Sequence, residues 1–247
     1  MGSAKRCILL SLLAAGACQS PEIAATATPA ILASPTQAPT STPSPSPAPP
    51  TLTASPPPAP RVFTDEFPDG LPNWSFLQAT AGEPAPEPEV INGFLKMAVP
   101  YTYQWLYEIY HAHTYDDVRI DARVELGAGG QGAAGLMCRY DQTAGWYEFN
   151  IHADQTYTLL FGQWLAEGIA RYTPLVVAHS EKITPSVNEI GLDCQGDVLT
   201  PYINGVQLRR RQETLHVLTE GAVGLTAASF ESAPLAIVYD WVSVSEP

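Results

Sequence analysis

The sequence is poor in positive charge, with 12 Lys and Arg against 25 Asp and Glu and a formal net charge of −13. Three charged residues, Lys5, Arg6 and Glu22, precede residue 61, so residues 61–247 carry 10 basic and 24 acidic side chains. An acidic surface of this kind repels phosphate backbones and anionic lipid headgroups. The composition therefore excludes nucleic acid as an expected partner.

The sequence also lacks a run of about 20 apolar residues, the length that a membrane-spanning helix needs. Its apolar stretch at 7–17 has 11 residues and follows two basic ones, which is typical of a secretory signal peptide. Three small residues come directly before Cys18, and this pattern resembles the bacterial lipobox, whose cysteine is lipidated after cleavage. We predict a lipoprotein signal peptide over residues 1–17 and a lipid anchor on Cys18. Plain signal-peptidase cleavage is the alternative.

Residues 19–60 contain 13 prolines, no aromatic residue and a single charge. Such a segment cannot bury enough apolar surface to offset the entropy lost on ordering. We predict a disordered Pro/Ser/Thr-rich stalk over residues 18–60, including the lipidated cysteine, and one folded domain over residues 61–247. Fully extended, the stalk would reach roughly 130 Å at about 3.1 Å per residue. The expected location is extracytoplasmic, at the cell surface, with the lipid as the only attachment to the membrane.

The domain sequence shows short strand patterns and no helical period. Residues 118–126 alternate apolar and charged side chains, which predicts a strand with one buried and one wet face. Asn-Gly pairs at 92–93 and 204–205 predict hairpins, because a type I′ turn needs positive φ at both central positions. The expected fold is all-β, an antiparallel two-sheet jelly-roll sandwich preceded by the disordered stalk.

Cysteines are few, and two of the four lie in the domain. Cys138 shares a strand face with Leu136, and Cys194 shares one with Leu192, so both sulfurs are expected to point toward the apolar side. An even pair in an exported domain predicts a Cys138–Cys194 disulfide. Two buried free thiols are the alternative.

Several short motifs are distributed along the domain: FTDEF at 63–67, GFL at 93–95, GLMCRY at 135–140, WYEF at 146–149, NEIGLDCQG at 188–196, YING at 202–205, GAVGL at 221–225 and YDWV at 239–242. Together they resemble the concanavalin A-like, LamG-like jelly-roll domains of bacterial lipoproteins. They are also similar to the related 3-keto-disaccharide hydrolase domains. The resemblance covers nearly all of residues 62–245, and it implies a jelly roll that binds or cleaves saccharides.

Motifs that would carry catalysis are missing. A retaining glycosidase needs two carboxyl groups about 5 Å apart, but no Glu-x-Asp-x-Glu motif occurs, and neither does Gly-x-Ser-x-Gly. We therefore predict no catalytic residue, and we favour a non-catalytic glycan-binding or adhesion module. A hydrolase of the 3-keto-disaccharide type and a structural or protein-binding scaffold are the alternatives.

Aromatic and polar side chains at outward strand positions are the candidate ligand contacts. The candidates are Tyr101, Tyr103, Trp105, Trp146, Glu148, Asn150, His152, Arg139 and Tyr202. The first three recur with a period of two and are expected to share one strand face with Tyr107. The next four are expected to share the polar face of another strand. Aromatic rings stack on sugars while polar groups bind their hydroxyls; ordinary packing or solvent exposure is the alternative.

Asp65 and Asp240 lie near the two ends of the domain sequence. In the jelly rolls that the sequence resembles, the terminal strands are neighbours, so these two carboxylates are candidate ligands of a structural Ca²⁺. Hydrogen bonds that tie the terminal strands together are the favoured alternative. No motif requires a cofactor, and the expected partner is a polysaccharide or another glycan.

Overall fold

The computed structural model describes residues 58–68, 70–80, 82–127 and 132–247. The predicted signal peptide, Cys18 and the stalk up to residue 57 lie outside the described residues. Within the described ranges the chain forms strands and no α-helix, so none there could cross a membrane as a helix. The strands are β1 Phe63–Asp65, β2 Trp74–Ala79, β3 Glu89–Ile91, β4 Phe94–Val99, β5 Trp105–Tyr115, β6 Val118–Leu126, β7 Gly132–Asp141, β8 Gly145–His152, β9 Thr156–Ala166, β10 Ile169–His179, β11 Val187–Gln195, β12 Val198–Ile203, β13 Val206–Gln207, β14 Arg211–Gln212, β15 Gly221–Ser229 and β16 Leu235–Ser245.

The strands form two antiparallel sheets, which confirms the predicted sandwich. A nine-stranded sheet has the order β13-β12-β11-β6-β16-β4-β3, with β1 paired to β16 and β14 paired to β12. A seven-stranded sheet has the order β10-β9-β8-β7-β15-β5-β2. Neighbours in space are often distant in sequence, as with β6 beside β16, and this is the connectivity of a jelly roll rather than a meander.

The main core lies between the inner faces of the two sheets. In β6 the predicted alternation is confirmed, because Val118, Ile120 and Val124 are fully buried while the charged residues between them are not. Tyr239 crosses the core from β16, and its hydroxyl accepts from the Gly135 N–H at 3.0 Å and donates to the carbonyl of Thr226 at 2.7 Å. The two sheets are therefore joined by hydrogen bonds as well as by apolar packing.

Both predicted Asn-Gly hairpins are present. Asn92 and Gly93 connect β3 to β4 with φ of 55° and 81°, and Asn204 and Gly205 connect β12 to β13 with φ of 50° and 76°. Positive φ costs glycine almost nothing and asparagine little. The turn chemistry therefore fixes where these strands reverse.

The seven-stranded sheet curls until its edges meet. In a flat sheet β10 and β5 would lie five strand spacings apart, roughly 24 Å at about 4.8 Å each. Instead Tyr172 of β10 stacks on Trp105 of β5, with ring centroids 5.2 Å apart. Beside them the backbone N–H of Thr80 donates to the carbonyl of Gly168, in the β9–β10 turn, at 3.0 Å. Two register shifts in the β9–β10 pair accompany this curl, as bulges bend a strand.

The predicted disulfide is confirmed. Cys138 in β7 and Cys194 in β11 are bonded, with their Cα atoms 6.8 Å apart. Both cysteines are fully buried in the core, so the bond joins the two sheets across the sandwich.

Arg139, which was predicted to face a ligand, has a structural role instead. It is 2% exposed and has a φ of 53° at a break in the β7–β8 register. Its guanidinium donates to the carbonyls of Gly196 and Leu218 at 2.5 and 2.6 Å, and it pairs with Asp117 at 3.3 Å. The positive φ rotates the side chain away from the face that the alternation predicted. Arg139 instead joins three loops through these contacts and is not available to a ligand.

Glu108 is an unexpected carboxyl group on the inner face of β5. It lies between Leu106 and Tyr110, both buried in the core, and is only 2% exposed. Desolvation, together with the charge of Glu87, raises the pKa of Glu108 from its ordinary value of 4.5 to about 7. Burial thus favours the protonated acid at this position.

Reduction of the disulfide should lower the free energy of unfolding by about 4 kcal/mol, because the two cysteines are 56 residues apart and the open loop gains chain entropy. Urea denaturation with and without dithiothreitol measures the difference. A Cys138→Ala, Cys194→Ala double variant is the control and should not respond to the reductant. Equal stability of the oxidised and reduced protein would contradict the expectation.

The Glu108→Gln variant should change how stability depends on pH. Between pH 4.5, the ordinary pKa, and about pH 7, the raised pKa, Glu108 is protonated in the folded protein and ionised in the unfolded one. Its contribution to the free energy of unfolding is therefore complete below pH 4.5 and is lost as the pH rises to about 7. Glutamine does not titrate, so the variant does not lose this stability. Between pH 4.5 and about pH 8, its free energy of unfolding should therefore rise by about 3 kcal/mol relative to that of the wild type.

Urea unfolding at the two pH values tests this expectation, with Glu83→Gln at an exposed position as the matched control. If wild type and Glu108→Gln show parallel pH profiles, the carboxyl group is not desolvated in solution.

Candidate functional site

The outer face of the seven-stranded sheet holds a second cluster of buried side chains. Its fully or nearly fully buried members are Ala79, Tyr107, Ile109, Met137 and Trp146, and partly buried Leu77, Trp105, Tyr140, Trp164, Ala170, Tyr172 and Ala222 pack against them. The closure of β10 over β5 covers this face. A surface that would be open in a flatter sheet is therefore a small aromatic core.

Trp146, Glu148 and Asn150 share this face, as the period of two predicted, but they are not exposed. Their exposed fractions are 0%, 0% and 3%. The expectation of a wet polar face was wrong because aromatic side chains of β5, β9 and β10 pack over it, and the local pattern does not give their positions. Gly162 in β9 provides the space, since a Cβ there would lie 2.2 Å from the Trp146 ring.

Glu148 is enclosed by hydrogen-bond donors. Its two carboxyl oxygens accept from Trp146 Nε1 at 2.9 Å and from Asn150 Nδ2 at 2.7 Å. Asn150 in turn accepts from the Thr226 hydroxyl at 2.7 Å. The Tyr107 hydroxyl also interacts with Glu148.

Burial raises the pKa of Glu148, and the surrounding hydrogen bonds oppose that rise. Along β8 the neighbouring outward positions are Trp146 and Asn150, so no second carboxyl group stands beside Glu148 on its own strand. The arrangement can hold β8 against β5 and β10 through the hydrogen-bonded hydroxyls of Tyr107 and Tyr172. A ligand could not reach it while the sheet stays closed.

His152 is at the end of the same row and is half-buried. Its Nε2 is 3.4 Å from the Thr158 hydroxyl, and its ring lies against Phe230 with centroids 5.4 Å apart. Desolvation lowers the pKa of His152, which favours the neutral ring. The structure thus places His152 beside Thr158 and Phe230, outside the buried cluster.

The predicted aromatic row from residue 101 to residue 107 is only half correct. Trp105 and Tyr107 share the outer face of β5, but Tyr101 and Tyr103 precede the strand and are 47% and 56% exposed. Tyr103 has a φ of 56°, and its N–H donates to the carbonyl of Phe230 at 3.2 Å. The turn at this point ends the alternation on which the expected row depended.

Tyr202 lies on the other sheet. It faces outward from β12 beside Gly191 of β11, and the Arg119 guanidinium sits 3.9 Å from its ring centroid. Tyr202 and Arg119 line a shallow surface depression of about 350 Å³, and Trp241 lines it as well. Tyr202 therefore does not converge with Trp146 and Glu148 on one surface.

Asp65 and Asp240 are also separated. Asp65 accepts from the Phe67 N–H at 2.8 Å and from Trp74 Nε1 at 3.1 Å, whereas Asp240 pairs with Arg123 at 3.4 Å. Within the described ranges no group of three or more His, Cys, Asp or Glu could hold a metal ion. Neither carboxylate therefore ties β1 to β16 as the favoured alternative expected; these two strands pair through their backbones.

An open groove remains where the curled sheet does not close completely. This hairpin groove has a volume of about 520 Å³ and lies between β2 and the β9–β10 turn. Its lining residues are Phe76, Leu77, Gln78, Thr80, Tyr140, Gln142, Trp164, Ala166, Glu167 and Gly168.

Trp164 and Tyr140 form the aromatic wall of the hairpin groove. Trp164 Nε1 donates to the Tyr140 hydroxyl at 3.1 Å, and the Trp164 ring lies 5.1 Å from that of buried Trp146. The wall is therefore held in place from behind, while Gln142 and Glu167 are exposed at its rim. A preformed aromatic surface with a few polar groups suits a small polar ligand.

Sequence reasoning missed Trp164 and selected Trp146, its buried neighbour. One feature of the sequence could have indicated the buried face. Several strands of one sheet carry aromatic residues at outward positions, which is typical of a sheet face that is covered. Trp105, Tyr107, Trp146, Trp164 and Tyr172 all follow that parity. The order of the strands, however, was needed to see that they meet.

No protein-family model matches the chain, and no curated protein matches it in sequence. Solved structures do match in shape. One is a Bacillus subtilis protein with a galectin-like fold, at 12% identity and a TM-score of 0.54 over 74% of this chain and 94% of that one. A second is a Bacillus licheniformis beta-glucanase, at 12% identity and a TM-score of 0.51 over 75% and 98%.

A third is the CBM2 module of the evolved Dit from Lactobacillus casei BL23 phage J-1, at 10% identity and a TM-score of 0.51 over 74% of this chain and 94% of that chain. Identities this low establish the architecture and leave the activity open. The described domain has the concanavalin A-like jelly-roll fold that its sequence motifs predicted.

Proposed function

We propose that the domain is a non-catalytic glycan-binding module and that the hairpin groove is its binding site. The observation that carries this proposal is the rigid aromatic wall of Trp164 and Tyr140 in the part of the outer face that stays open. The volume of about 520 Å³ falls within the range of about 300–1,000 Å³ usual for small-molecule sites.

The polar groups around the wall fit a saccharide. Gln142 and Glu167 stand at the rim, and Thr80 lies at the end of β2. Amide, carboxylate and hydroxyl groups bind sugar hydroxyls while aromatic faces stack on the ring. The names of two similar structures, a beta-glucanase and a CBM2 module, add support at the level of the fold. The relation to 3-keto-disaccharide hydrolases stays a prediction.

We also propose that the module is displayed on a lipid anchor at Cys18, at the end of the Pro/Ser/Thr-rich stalk. The support is the sequence itself, a short apolar segment followed by small residues and a cysteine. A stalk of this length would let the module bind a polysaccharide at a distance from the membrane.

Trp164→Ala should weaken binding of the purified protein to its polysaccharide about tenfold or more, because a packed aromatic anchor contributes about 2 kcal/mol. A polysaccharide array followed by isothermal titration calorimetry measures the change. Gln142→Ala and Glu167→Ala, at exposed positions that leave the packing intact, should each weaken binding less.

Trp241→Ala is the matched control, since it removes a half-buried tryptophan from the other sheet. If Trp164→Ala and both rim variants bind like the wild type, the hairpin groove is not the site. Failure of the wild type to bind any polysaccharide would favour the scaffold alternative.

Cys18→Ala should abolish incorporation of radiolabelled fatty acid and release the protein from the membrane fraction. Cys7→Ala, within the apolar segment, is the control and should keep both the label and the location. An unlabelled wild-type protein would show that the cleavage is that of an ordinary secreted protein.

A further inference from the structure

A second cavity opens between the edge strands of the two sheets. This edge cleft has a volume of about 440 Å³ and separates β2 from the segment that leads into β3. Apolar side chains of Leu71, Trp74, Phe76 and Val90 form its walls. It lies on the inner side of β2, whereas the hairpin groove lies on the outer side.

Glu108 lines this cleft and is 98% removed from solvent. No residue of the described chain forms a hydrogen bond with its carboxyl group, which keeps slight contact with solvent at the open cleft. Its neighbours in the adjacent strands are Phe76 on β2 and Leu225 on β15, neither of which can donate to it. Burying an unpaired carboxyl group is costly, and such groups usually have a partner.

The contrast with Glu148 shows that the fold can satisfy a buried carboxyl group. Glu148 accepts from two nitrogen donors within 3 Å, Trp146 Nε1 and Asn150 Nδ2. Among the described residues, the charged group that influences Glu108 is Glu87, which has the same sign and makes the ionisation of Glu108 less favourable. Glu108 thus has a second acid and an open cavity beside it. No described residue donates a hydrogen bond to its carboxyl group.

One buried and one exposed carboxyl group, Glu108 and Glu87, in a cleft with aromatic and aliphatic walls suit an organic cation better than a metal ion. A calcium ion needs six to eight oxygen ligands, whereas the side chains that line the edge cleft offer two carboxyl groups, and Leu71, Trp74, Phe76 and Val90 offer no oxygen ligand. A basic side chain has an apolar stem with a charged end, so it can pack on Trp74 and Phe76 while its cation reaches Glu108. A sugar ring could stack on Trp74 or Phe76, but most of its hydroxyls would find no partner among the lining side chains other than the two carboxyl groups.

We propose that the edge cleft binds a basic side chain, lysine or arginine, of a polypeptide partner, with Glu108 and Glu87 pairing with its charge. The overall charge agrees, since residues 61–247 carry 24 acidic against 10 basic side chains and attract a basic partner. This site is separate from the proposed glycan groove and does not depend on it.

Binding should depend on pH. Glu108 must ionise to pair with the cation. Among the described residues the charged group that acts on it is Glu87, while Phe76, Val90 and Leu225 on the neighbouring strands carry no charge. Affinity should therefore rise as the pH rises through about 7. By linkage the bound cation should lower the pKa of Glu108.

The experiment uses the purified full chain with ¹³C-labelled glutamate and follows the Glu108 carboxyl signal by NMR. The probes are Nα-acetyl-lysine methylamide and Nα-acetyl-arginine methylamide, with the neutral norleucine analogue as control. At least one basic probe should bind, lower the pKa of Glu108 by about one unit or more, and exceed the affinity of norleucine about tenfold.

Two variants locate the site. Glu108→Gln should reduce the affinity for the basic probe about tenfold or more, and Val90→Phe should do the same by narrowing the cleft without a change of charge. Glu83→Gln, an exposed acid outside the cleft, should bind like the wild type. Thermal unfolding of each variant checks that it is folded.

Several outcomes would overturn the proposal. These are equal binding of norleucine, binding that survives both Glu108→Gln and Val90→Phe, and a Glu108 response to calcium chloride or to glucosamine but to neither basic probe. Absence of binding by both basic probes at pH values above 7 would also overturn it. None of these outcomes bears on polysaccharide binding in the hairpin groove, which the Trp164→Ala variant tests separately.

Discussion

The contact between Tyr172 and Trp105 is the constraint on which the arrangement of functional surfaces depends. It joins two strands that a flat sheet would hold roughly 24 Å apart. Once these rings stack, the outer face of the seven-stranded sheet becomes an interior. Aromatic side chains then gain burial on both faces of β8, and polar groups on that face have to find partners inside the protein.

Glu148 and Glu108 illustrate two ways in which this fold treats an acid away from water. Glu148 lies at the centre of the closed face, and donors from its own strand pair with both of its oxygens. Glu108 lies at the open edge between the sheets, beside Trp74, Phe76 and Val90. Desolvation raises its pKa, and among the described residues the charge that raises this pKa further belongs to another acid, Glu87. The first carboxyl group stabilises the closed sheet. The second has no hydrogen-bond donor among the described residues, and this difference is the basis of the cation site that we propose in the edge cleft.

Much of the architecture followed from local patterns. Alternation in β6 predicted its buried face, the two Asn-Gly pairs predicted their hairpins, and parity placed Cys138 and Cys194 toward the core, where they are bonded. The candidate site was harder to predict. Parity correctly grouped Trp146 with Glu148, yet it could not show that β10 covers them. Arg139 and Tyr103 departed from parity because each has positive φ, which rotates a side chain out of the regular alternation.

The sequence by itself determined the all-β character, the turn positions, the disulfide partners and which side chains share a strand face, because these depend on neighbours along the chain. Only the tertiary structure decided which faces stay open. That depends on how far a sheet curls and which edge strands meet, as when the β9–β10 turn reaches the end of β2 through the Thr80–Gly168 hydrogen bond. Such contacts join residues nearly 90 positions apart, and their geometry is set by the packing of the whole sandwich rather than by any local pattern.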